Sequence, residues 1–351
     1  MQFYKNIKSI SLWVYFISLF FLSSCVEEYR DHFFRENYIS SVISWESIPS
    51  SWTLYILPNK SVLQDIVHMI ESAQKTVWVE IYTWTEKSTI DAVLSAKKRG
   101  VDVRVILEWN VYGTPFINKH TFDSFSGAGI PTVYADDSRY RFTHAKFWII
   151  DDYWCIATGN LTYSSFTKNR DMIYCDNQLL PRKNLESLFL SDFHHEKPIF
   201  PEGRDSRLWI SPINMRSWIQ DAITWSEHSL FLYNQTITDP EILNLLERKA
   251  GSGIEVKLCS SGPEELSDNQ DNIAHTGTNS PFPFIKIKKP YPHLKVFLID
   301  GRDVILWSIN LTENALDNNR ETAFLIKDNP KIYSQVKNTF LSDCFDEKFA
   351  K

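Results

Sequence analysis

The chain has 351 residues, of which 43% are hydrophobic and 14% aromatic, so it has enough apolar side chains for two packed domains or pseudo-domains. Its 37 basic and 43 acidic residues give a formal net charge of −6 at pH 7, and a net acidic chain without a long basic tract is a poor general trap for DNA. Its cysteines lack CxxC spacing, which indicates neither a zinc site nor a dense disulfide framework, although one disulfide is possible.

Residues 1–24 have the pattern of a signal peptide. Two lysines precede a run from Ile10 to Leu22 that is almost wholly apolar but shorter than the about 20 apolar residues of a membrane span. Leu22-Ser23-Ser24-Cys25 resembles a bacterial lipobox, whose cysteine is lipidated and becomes the new N-terminus. We therefore expect residues 25–50 to be a tether and the protein to be held in the cell envelope, on the periplasmic or outer side. The alternatives are an ordinary secretory signal and an uncleaved anchor.

Strand and helix patterns alternate after residue 50. The first half predicts a strand over Trp52–Leu57, a helix with a capping box from Ser61 to Gln64, a buried strand over Thr76–Tyr82, a helix over Ser88–Arg99 and a buried strand over Val101–Leu107. The second half predicts a helix over Met215–Trp225, a strand over Ser229–Tyr233, a helix over Pro240–Lys249 and a strand over Ile254–Cys259. Both halves therefore predict α/β layers, with helices covering a mixed sheet.

A motif of the form HxKxxxxD occurs once in each half. It reads His144, Lys146 and Asp151 in the first half, and His293, Lys295 and Asp300 in the second, each 149 positions later. Thr158 and Asn160 follow the first copy, and Ser308 and Asn310 follow the second.

The repetition extends beyond the motif, since Asn169-Arg170-Asp171 is answered by Asn319-Arg320-Glu321 and Phe189-Leu190-Ser191-Asp192 by Phe340-Leu341-Ser342-Asp343. An internal duplication is the simplest cause, so each half is one structural unit.

The double motif resembles that of the phospholipase D superfamily, in which HxKxxxxD is followed by GSxN. The second copy matches the family spacing, with Trp307 in place of glycine, and the first has Ala157 and Thr158 and a connection one residue shorter. The resemblance implies two similar α/β/α lobes, residues 51–200 and 201–351, with mixed, mostly parallel sheets and helices on both faces. It places the active site at the seam of a pseudo-twofold axis.

The resemblance also implies the chemistry. By position, His144 corresponds to the nucleophile that attacks phosphorus and His293 to the acid that protonates the leaving alcohol and then activates the acceptor. The charged donors to the phosphoryl oxygens are Lys146 and Lys295, and further phosphate donors are Asn160, Asn310, Thr158 and Ser308.

Two pairs of acidic residues receive different roles. In the family an acid downstream of each motif holds the imidazole, and Asp171 and Glu321 match those positions. We predict that Asp151 and Asp300 are structural and bond to nearby backbone or lysine, the alternative being a direct catalytic role. Arg170 and Arg320 would support the site from behind. This set of donors requires neither a metal ion nor a cofactor.

The substrate is less clearly indicated. Pro281–Lys289 mixes aromatic and basic residues before the second motif, and predicts either an entrance that faces a phospholipid or nucleic-acid strand or simply an amphipathic strand. Trp84, Trp109 and Tyr112 would line the same mouth or pack in the core. We expect a monomeric phospholipase D that converts glycerophospholipids to phosphatidic acid on a membrane surface. The alternatives are an extracytoplasmic endonuclease acting on nucleic acid, a cardiolipin-synthase-like transferase and a catalytically inactive binding module.

Overall fold

Two mixed β-sheets form the framework in a computed structural model, which describes residues 52–201, 203–260, 284–287 and 289–345. The predicted signal peptide, Cys25, the tether and most of the segment before the second motif lie outside the described residues. None of the helices in the described ranges has the length and apolar character needed to cross a bilayer.

The first lobe contains the strands β1 (Thr53–Leu57), β2 (Thr76–Ile81), β3 (Asp102–Leu107), β4 (Thr132–Tyr134), β5 (Lys146–Ile150), β6 (Tyr153–Ala157) and β7 (Asn169–Asp176). Its helices are α1 (Lys60–Ser72), α2 (Lys87–Lys98), α3 (Lys119–Gly127), α4 (Tyr163–Thr167) and α5 (Leu179–Phe193). The strands lie in the order β1-β7-β6-β5-β2-β3-β4.

The second lobe contains β8 (Leu208–Ser211), β9 (Ser229–Asn234), β10 (Glu255–Ser260), β11 (Phe284–Lys286), β12 (Tyr291–Pro292), β13 (Lys295–Ile299), β14 (Asp303–Trp307) and β15 (Glu321–Ile326). Its helices are α6 (Met215–Trp225), α7 (Pro240–Gly251), α8 (Glu313–Asp317) and α9 (Pro330–Phe345). Seven strands form its sheet in the order β11-β10-β9-β13-β14-β15-β8, whereas β12 joins the sheet of the first lobe.

The mixed sheets and the α/β fold are as predicted, but the expectation of mostly parallel pairing is wrong. Parallel pairs occur where a helix connects the strands, as in β2–β3 and β9–β10. The motif strands instead form meanders, β5–β6–β7 and β13–β14–β15, whose pairs are antiparallel. A hairpin with a short turn can only pair antiparallel strands, so antiparallel pairs prevail in each sheet.

Helices cover both faces of the first sheet. Val62, Ile66 and Ile70 of α1 recur at helical spacing and pack in one core with β2. On the other face, α5 shares a second core with β5, β9 and α9, to which Phe189 and Phe340 contribute. The two lobes therefore pack on each other through α5 and α9, which fixes the seam.

The helix boundaries differ in detail from the predicted ones. Asn59 caps α1 by accepting a hydrogen bond from Ser61 N at 3.0 Å, so the predicted Ser61–Gln64 capping box is wrong and Ser61 lies inside the helix. The helix predicted over Met215–Trp225 is confirmed at both ends.

The four cysteines outside the N-terminal segment form two disulfides, one more than the sequence suggested. Cys155 and Cys175 are cross-strand neighbours on β6 and β7. Cys259 at the end of β10 bonds to Cys344 in the last turn of α9. Each lobe thus has one disulfide, formed by residues that only the folded sheet brings together.

Candidate active site

The two motif histidines stand at the same ends of the two central strands. His144 lies two residues before the start of β5 at Lys146, and His293 lies two residues before the start of β13 at Lys295. The backbone before each histidine runs beside a strand of the other lobe. His144 N donates to Arg320 O at 2.9 Å, and β12, immediately before His293, pairs in parallel with the start of β7.

This crossing pairs each histidine with the acid of the opposite lobe. His144 Nδ1 lies 3.0 Å from both carboxylate oxygens of Glu321, and His293 Nδ1 lies 2.8 Å from Asp171 Oδ1. Both carboxylates are fully buried, whereas each imidazole is 12% exposed. With Nδ1–H donated to a carboxylate, Nε2 of each ring is left for the reaction.

The motif lysines bond to the histidine segments. Lys146 Nζ donates to His144 O at 2.6 Å, and Lys295 Nζ donates to His293 O at 2.6 Å. Their further neighbours differ, because Lys146 Nζ lies 5.2 Å from the ring centre of Tyr82, whereas Lys295 Nζ also donates to Gln235 Oε1 at 3.3 Å. The two lysine amines therefore hold the backbone at the site and have different surroundings.

Burial dominates the ionisation of the histidines and lysines. It lowers the pKa of His144 to about 4, although Glu321 opposes the shift, and lowers the pKa of His293 while Asp171 opposes it. Burial also lowers the pKa of Lys146 well below its usual value and that of Lys295 to about 8. Both imidazoles are therefore neutral at pH 7 in the ligand-free site, and an anionic phosphate beside the lysines would favour the protonated forms.

The two carboxylates remain ionised. Burial raises the pKa of the Asp171 carboxyl, but the interaction with His293, which includes a hydrogen bond, the charge of Lys295 and the hydrogen bond from Thr158 outweigh burial and hold this pKa below its usual range. The pKa of Glu321 is likewise lowered despite burial, through His144 and Lys146. Each acid can therefore stabilise an imidazolium that forms on the histidine beside it.

Thr158 and Ser308 do not face a substrate, which corrects their predicted role as phosphate donors. The Thr158 hydroxyl donates to Asp171 Oδ1 at 2.8 Å and the Ser308 hydroxyl to Glu321 Oε2 at 2.5 Å. Both side chains are fully buried and accept from backbone N–H groups of the next strand. A hydroxyl has a single hydrogen to donate, so these residues orient the carboxylates instead.

Asn160 and Asn310 lie half-buried after these hydroxyls, near the histidine ends of the sheets. Asn160 Oδ1 accepts from Thr83 N at 3.2 Å, which fixes the orientation of its side-chain amide. Asn310 Oδ1 is buried and accepts no hydrogen bond from the described residues. Their placement is compatible with the predicted role of amide donors to a phosphate.

Asp151 and Asp300 follow the far ends of β5 and β13, and at the usual rise of a strand the five residues of each strand alone separate them from the histidine end by about 17 Å. Each occupies the turn after its strand with φ near +51°. The carboxylate of Asp151 accepts hydrogen bonds from the N–H groups of residues 74–76, and that of Asp300 from those of residues 227–229. They fix the hairpins to the neighbouring segments and do not reach the seam.

The duplicated arginines form a second set of contacts between the lobes. Arg170 donates to both carboxylate oxygens of Asp343 at 2.6 and 2.9 Å, and Arg320 to both of Asp192 at 2.7 and 3.0 Å. The acids come from the repeated Phe-Leu-Ser-Asp sequences of α5 and α9. The internal repeat showed that the two arginines are equivalent, but their partner residues could not be inferred from spacing.

Tyr82 is a site residue that the sequence analysis missed. Its ring packs edge-on against His144 with centroids 4.6 Å apart, and its hydroxyl accepts from Tyr112 N at 2.7 Å. Trp84, by contrast, is fully buried and donates to the Thr89 hydroxyl, so it belongs to the core and not to a mouth. Tyr112 and Trp109 remain exposed beside the site.

Comparisons with known proteins agree with the duplicated fold. A family model described as "Cardiolipin synthase, PLD-like domain" matches twice, over residues 66–193 and 219–344, which together exceed half of the chain. A search of curated protein sequences found no match.

Solved structures share the fold at low sequence identity. A polyphosphate kinase from Porphyromonas gingivalis has a TM-score of 0.64 and 18% identity over 83% of this chain, which spans only half (50%) of that protein. A phosphatidylserine synthase from Haemophilus influenzae has a TM-score of 0.62 and 12% identity, covering 82% of this chain and 86% of its own. Nuc from Salmonella typhimurium, a phospholipase D family member, covers 44% of the chain at a TM-score of 0.39.

Proposed function

The chain belongs to the phospholipase D superfamily, whose members are phosphodiesterases and transferases, and we propose that it hydrolyses the head-group phosphodiester of glycerophospholipids to release phosphatidic acid. The observation that carries the proposal is the pair of histidines at the seam, each held through Nδ1 by a buried carboxylate of the other lobe. Two such imidazoles supply a nucleophile and an acid in one chain.

In the proposed reaction, Nε2 of His144 attacks phosphorus and forms a phosphohistidine as the bond to the head-group oxygen breaks. His293, protonated when the anionic substrate binds, gives its proton to that oxygen. It then takes a proton from water, whose oxygen attacks phosphorus and releases phosphatidic acid from His144. Lys146, Lys295 and the two asparagines bind the phosphoryl oxygens.

Lipid is favoured over nucleic acid by charge. The chain carries a net charge of −6, and removal of the predicted signal peptide would make it −8, whereas proteins that bind phosphate backbones use many basic side chains. The matching family model is named after cardiolipin synthase, a lipid enzyme, which is compatible with the same substrate class. An alcohol in place of water would turn the same intermediate into a transfer product.

We also propose that the protein is exported and anchored through a lipidated Cys25. The two disulfides support an oxidising compartment outside the cytoplasm, where such bonds persist. Globomycin-sensitive processing and a mass increase at Cys25 would be the expected observations, and an unmodified Cys25 in the mature protein would contradict the anchor.

The test compares two substrates without added metal. Full-length protein is incubated with mixed phospholipid vesicles and, separately, with supercoiled plasmid, with His144→Asn as the matched control. We expect phosphatidic acid release that disappears in the variant, and added glycerol should report transfer through phosphatidylglycerol formation. Plasmid nicking with intact vesicles would make the protein a nuclease. If the folded His144→Asn protein still performs the cellular role of the native protein, the chain acts as a binding module and its catalysis is not needed.

A further inference from the structure

The loop between β3 and α3 exposes an unusual amount of apolar surface. Residues 109–117, here called the apolar loop, contain no charged side chain. Four of its side chains are large, apolar and exposed, with exposed fractions of 37% for Trp109, 78% for Tyr112, 51% for Phe116 and 38% for Ile117. Exposed apolar residues of soluble proteins usually occur singly, so a cluster of this size indicates a contact surface.

The loop holds these side chains in an ordered arrangement. The rings of Trp109 and Phe116 pack edge-on with centroids 4.5 Å apart, and Phe116 N donates to Trp109 O at 3.3 Å. Behind them, the buried Asn118 side chain donates to Tyr82 O and Glu108 O at 2.8 Å each. Trp109 also packs edge-on against Tyr134, with centroids 4.6 Å apart, so the loop is fixed at its base while Tyr112 and Phe116 remain the most exposed of its large apolar side chains.

The apolar loop adjoins the catalytic seam. Tyr112 N donates to the hydroxyl of Tyr82, whose ring packs on His144. Exposed Arg141, three residues before His144, lies over the ring of Phe142, and among the described residues no carboxylate lies within ion-pair distance of it. The Phe142 ring packs edge-on against Tyr82, with centroids 6.1 Å apart, which connects this basic side chain to the base of the apolar loop. An apolar tip with a basic side chain near its base matches the layering of a phospholipid surface, with acyl chains inside and phosphates above them.

We propose that the apolar loop seats the protein on a phospholipid bilayer, with Tyr112 and Phe116 inserted at the acyl boundary and Arg141 at the lipid phosphates. The proposal rests on the proposed lipid function and adds the surface that brings the bilayer to His144. A nucleic-acid strand is a poor occupant because the loop offers no cation to its phosphates. Tryptophan and tyrosine, by contrast, are the side chains enriched where apolar and aqueous layers meet.

Insertion is measured directly with a protein that does not consume its membrane. Full-length protein carrying His144→Asn is mixed with vesicles of phosphatidylcholine and phosphatidylglycerol with brominated acyl chains, and tryptophan quenching is recorded. Trp109→Phe in the same background isolates the signal of this side chain. We expect the substitution to remove a measurable part of the quenching. Equal fractional quenching in the two proteins would overturn the proposal, whatever the substrate proves to be.

The consequence for turnover is tested with the otherwise native chain. Tyr112→Ser combined with Phe116→Asn removes the two tips, and asparagine tolerates the positive φ of Phe116, +65°. Leu179→Ser is the matched control, since Leu179 is 54% exposed but follows the opposite end of β7. We expect vesicle turnover to fall about tenfold or more in the double variant, because lost apolar burial weakens interfacial binding. Turnover of a soluble short-chain diester should stay unchanged.

The two proposals fail in different ways. A native protein that leaves vesicles intact while cleaving soluble diesters would refute the lipid function, and the quenching experiment would still decide whether the loop inserts. Vesicle turnover that is equal in the double variant and the native chain would refute the loop. Self-association that the double variant abolishes, without quenching by brominated lipid, would assign the surface to a second copy of the chain and refute the bilayer contact.

Discussion

The two lobes present the same residue types to the seam but surround them differently. His144 faces both oxygens of Glu321, and its lysine lies against the ring of Tyr82. His293 faces a single oxygen of Asp171, whose other oxygen is buried without a partner in the described residues, and its lysine bonds to an amide. A duplicated motif thus provides two imidazoles with different environments, which a reaction needing one nucleophile and one acid requires.

The two lobes also differ in the residues that pack behind Asp171 and Glu321. In the first lobe Gly159 follows Thr158, and a Cβ at this glycine would lie 2.4 Å from Asp171 Cγ. In the second lobe Ile309, fully buried, follows Ser308. The shorter acid therefore occupies the space that a missing side chain leaves, and the longer acid coexists with an isoleucine. The two sites cannot be exchanged residue by residue.

The largest expected effect comes from replacing the histidines one at a time. His144→Asn should reduce turnover at least about 10⁴-fold with every diester, because no nucleophile remains. His293→Asn should cost a similar factor with a phospholipid but only about 10-fold in the first step with a p-nitrophenyl diester, whose leaving group needs no proton. Burst kinetics of nitrophenol release measures this difference. Equal losses with both leaving groups in both variants would mean that the lobes are functionally equivalent.

Substitution of each carboxylate should change a different limb of the pH dependence of kcat/KM. In the free enzyme His144 must be neutral, with a pKa of about 4, and His293 must be protonated, with a pKa below its usual 6.5. The kcat/KM for a soluble diester should therefore decrease on the acid side as the pH drops through about 4, where His144 becomes protonated. It should also decrease on the alkaline side as the pH rises through the pKa of His293, which lies below 6.5. Since each acid raises the pKa of its histidine, Glu321→Gln should move the acid limb down and Asp171→Asn the alkaline limb down.

Both substitutions should also cost roughly 10³-fold in kcat, because an amide does not stabilise the imidazolium. The control is the circular-dichroism spectrum, which should remain native. A kcat/KM profile that stays flat from pH 4 to 9, or an Asp171→Asn protein that shifts the acid limb, would contradict the crossed pairing.

Substitutions at Gly159 and Ile309 should have different effects, the first on the position of a catalytic carboxylate and the second on the packing of the core. Gly159→Ala places a methyl group against Asp171 and should reduce kcat about 10²-fold by displacing the carboxylate from His293. Ile309→Ala leaves a cavity, and it should lower the free energy of unfolding by about 2–5 kcal/mol while changing kcat little. Urea unfolding and steady-state kinetics of both proteins measure the contrast. Similar losses of kcat in the two variants would contradict the proposed difference between the two lobes.

The smallest effects on activity are expected from the disulfides. The bond between Cys259 and Cys344 spans 85 positions and that between Cys155 and Cys175 only 20. Chain entropy predicts that removing the longer connection costs about 1.3 kcal/mol more in unfolding free energy, roughly 4.6 against 3.3 kcal/mol. Paired alanine variants and thermal unfolding under native conditions measure the difference. A larger loss in the first lobe would show that local packing outweighs loop length.

The sequence predicts the repeat and the fold class well, because periodic apolar patterns and two copies of one motif are local signals. Helix α6 and the strands before the motifs were found within one or two residues of their observed bounds. Parallel pairing was overestimated, since the βαβ pattern was extended to motif strands that are joined by tight turns. Turn length, which sets the antiparallel meander, was the signal that could have corrected it.

The sequence predicted which residues form the site but not which of them bond to each other. The family resemblance implies that Asp171 and Glu321 hold the imidazoles. It does not show that each acid reaches the histidine of the other lobe, because that depends on how β12 and the segment before β5 cross the seam. The same limit hid the bonds between Thr158 and Asp171 and between Ser308 and Glu321. Tyr82 was missed because it is the last residue of the predicted buried strand, where an aromatic residue usually packs in a core.

The central claim is that the two histidines divide the work, with His144 as nucleophile and His293 as acid and base. The most direct measurement is rapid acid-free quenching of His293→Asn protein during turnover of a p-nitrophenyl phosphodiester, followed by peptide mass spectrometry. Without the base that activates water, the intermediate should accumulate, and the phosphoryl group should be found on His144. Its absence from His144 during a full nitrophenol burst, or in native protein a label on His293, would contradict the account.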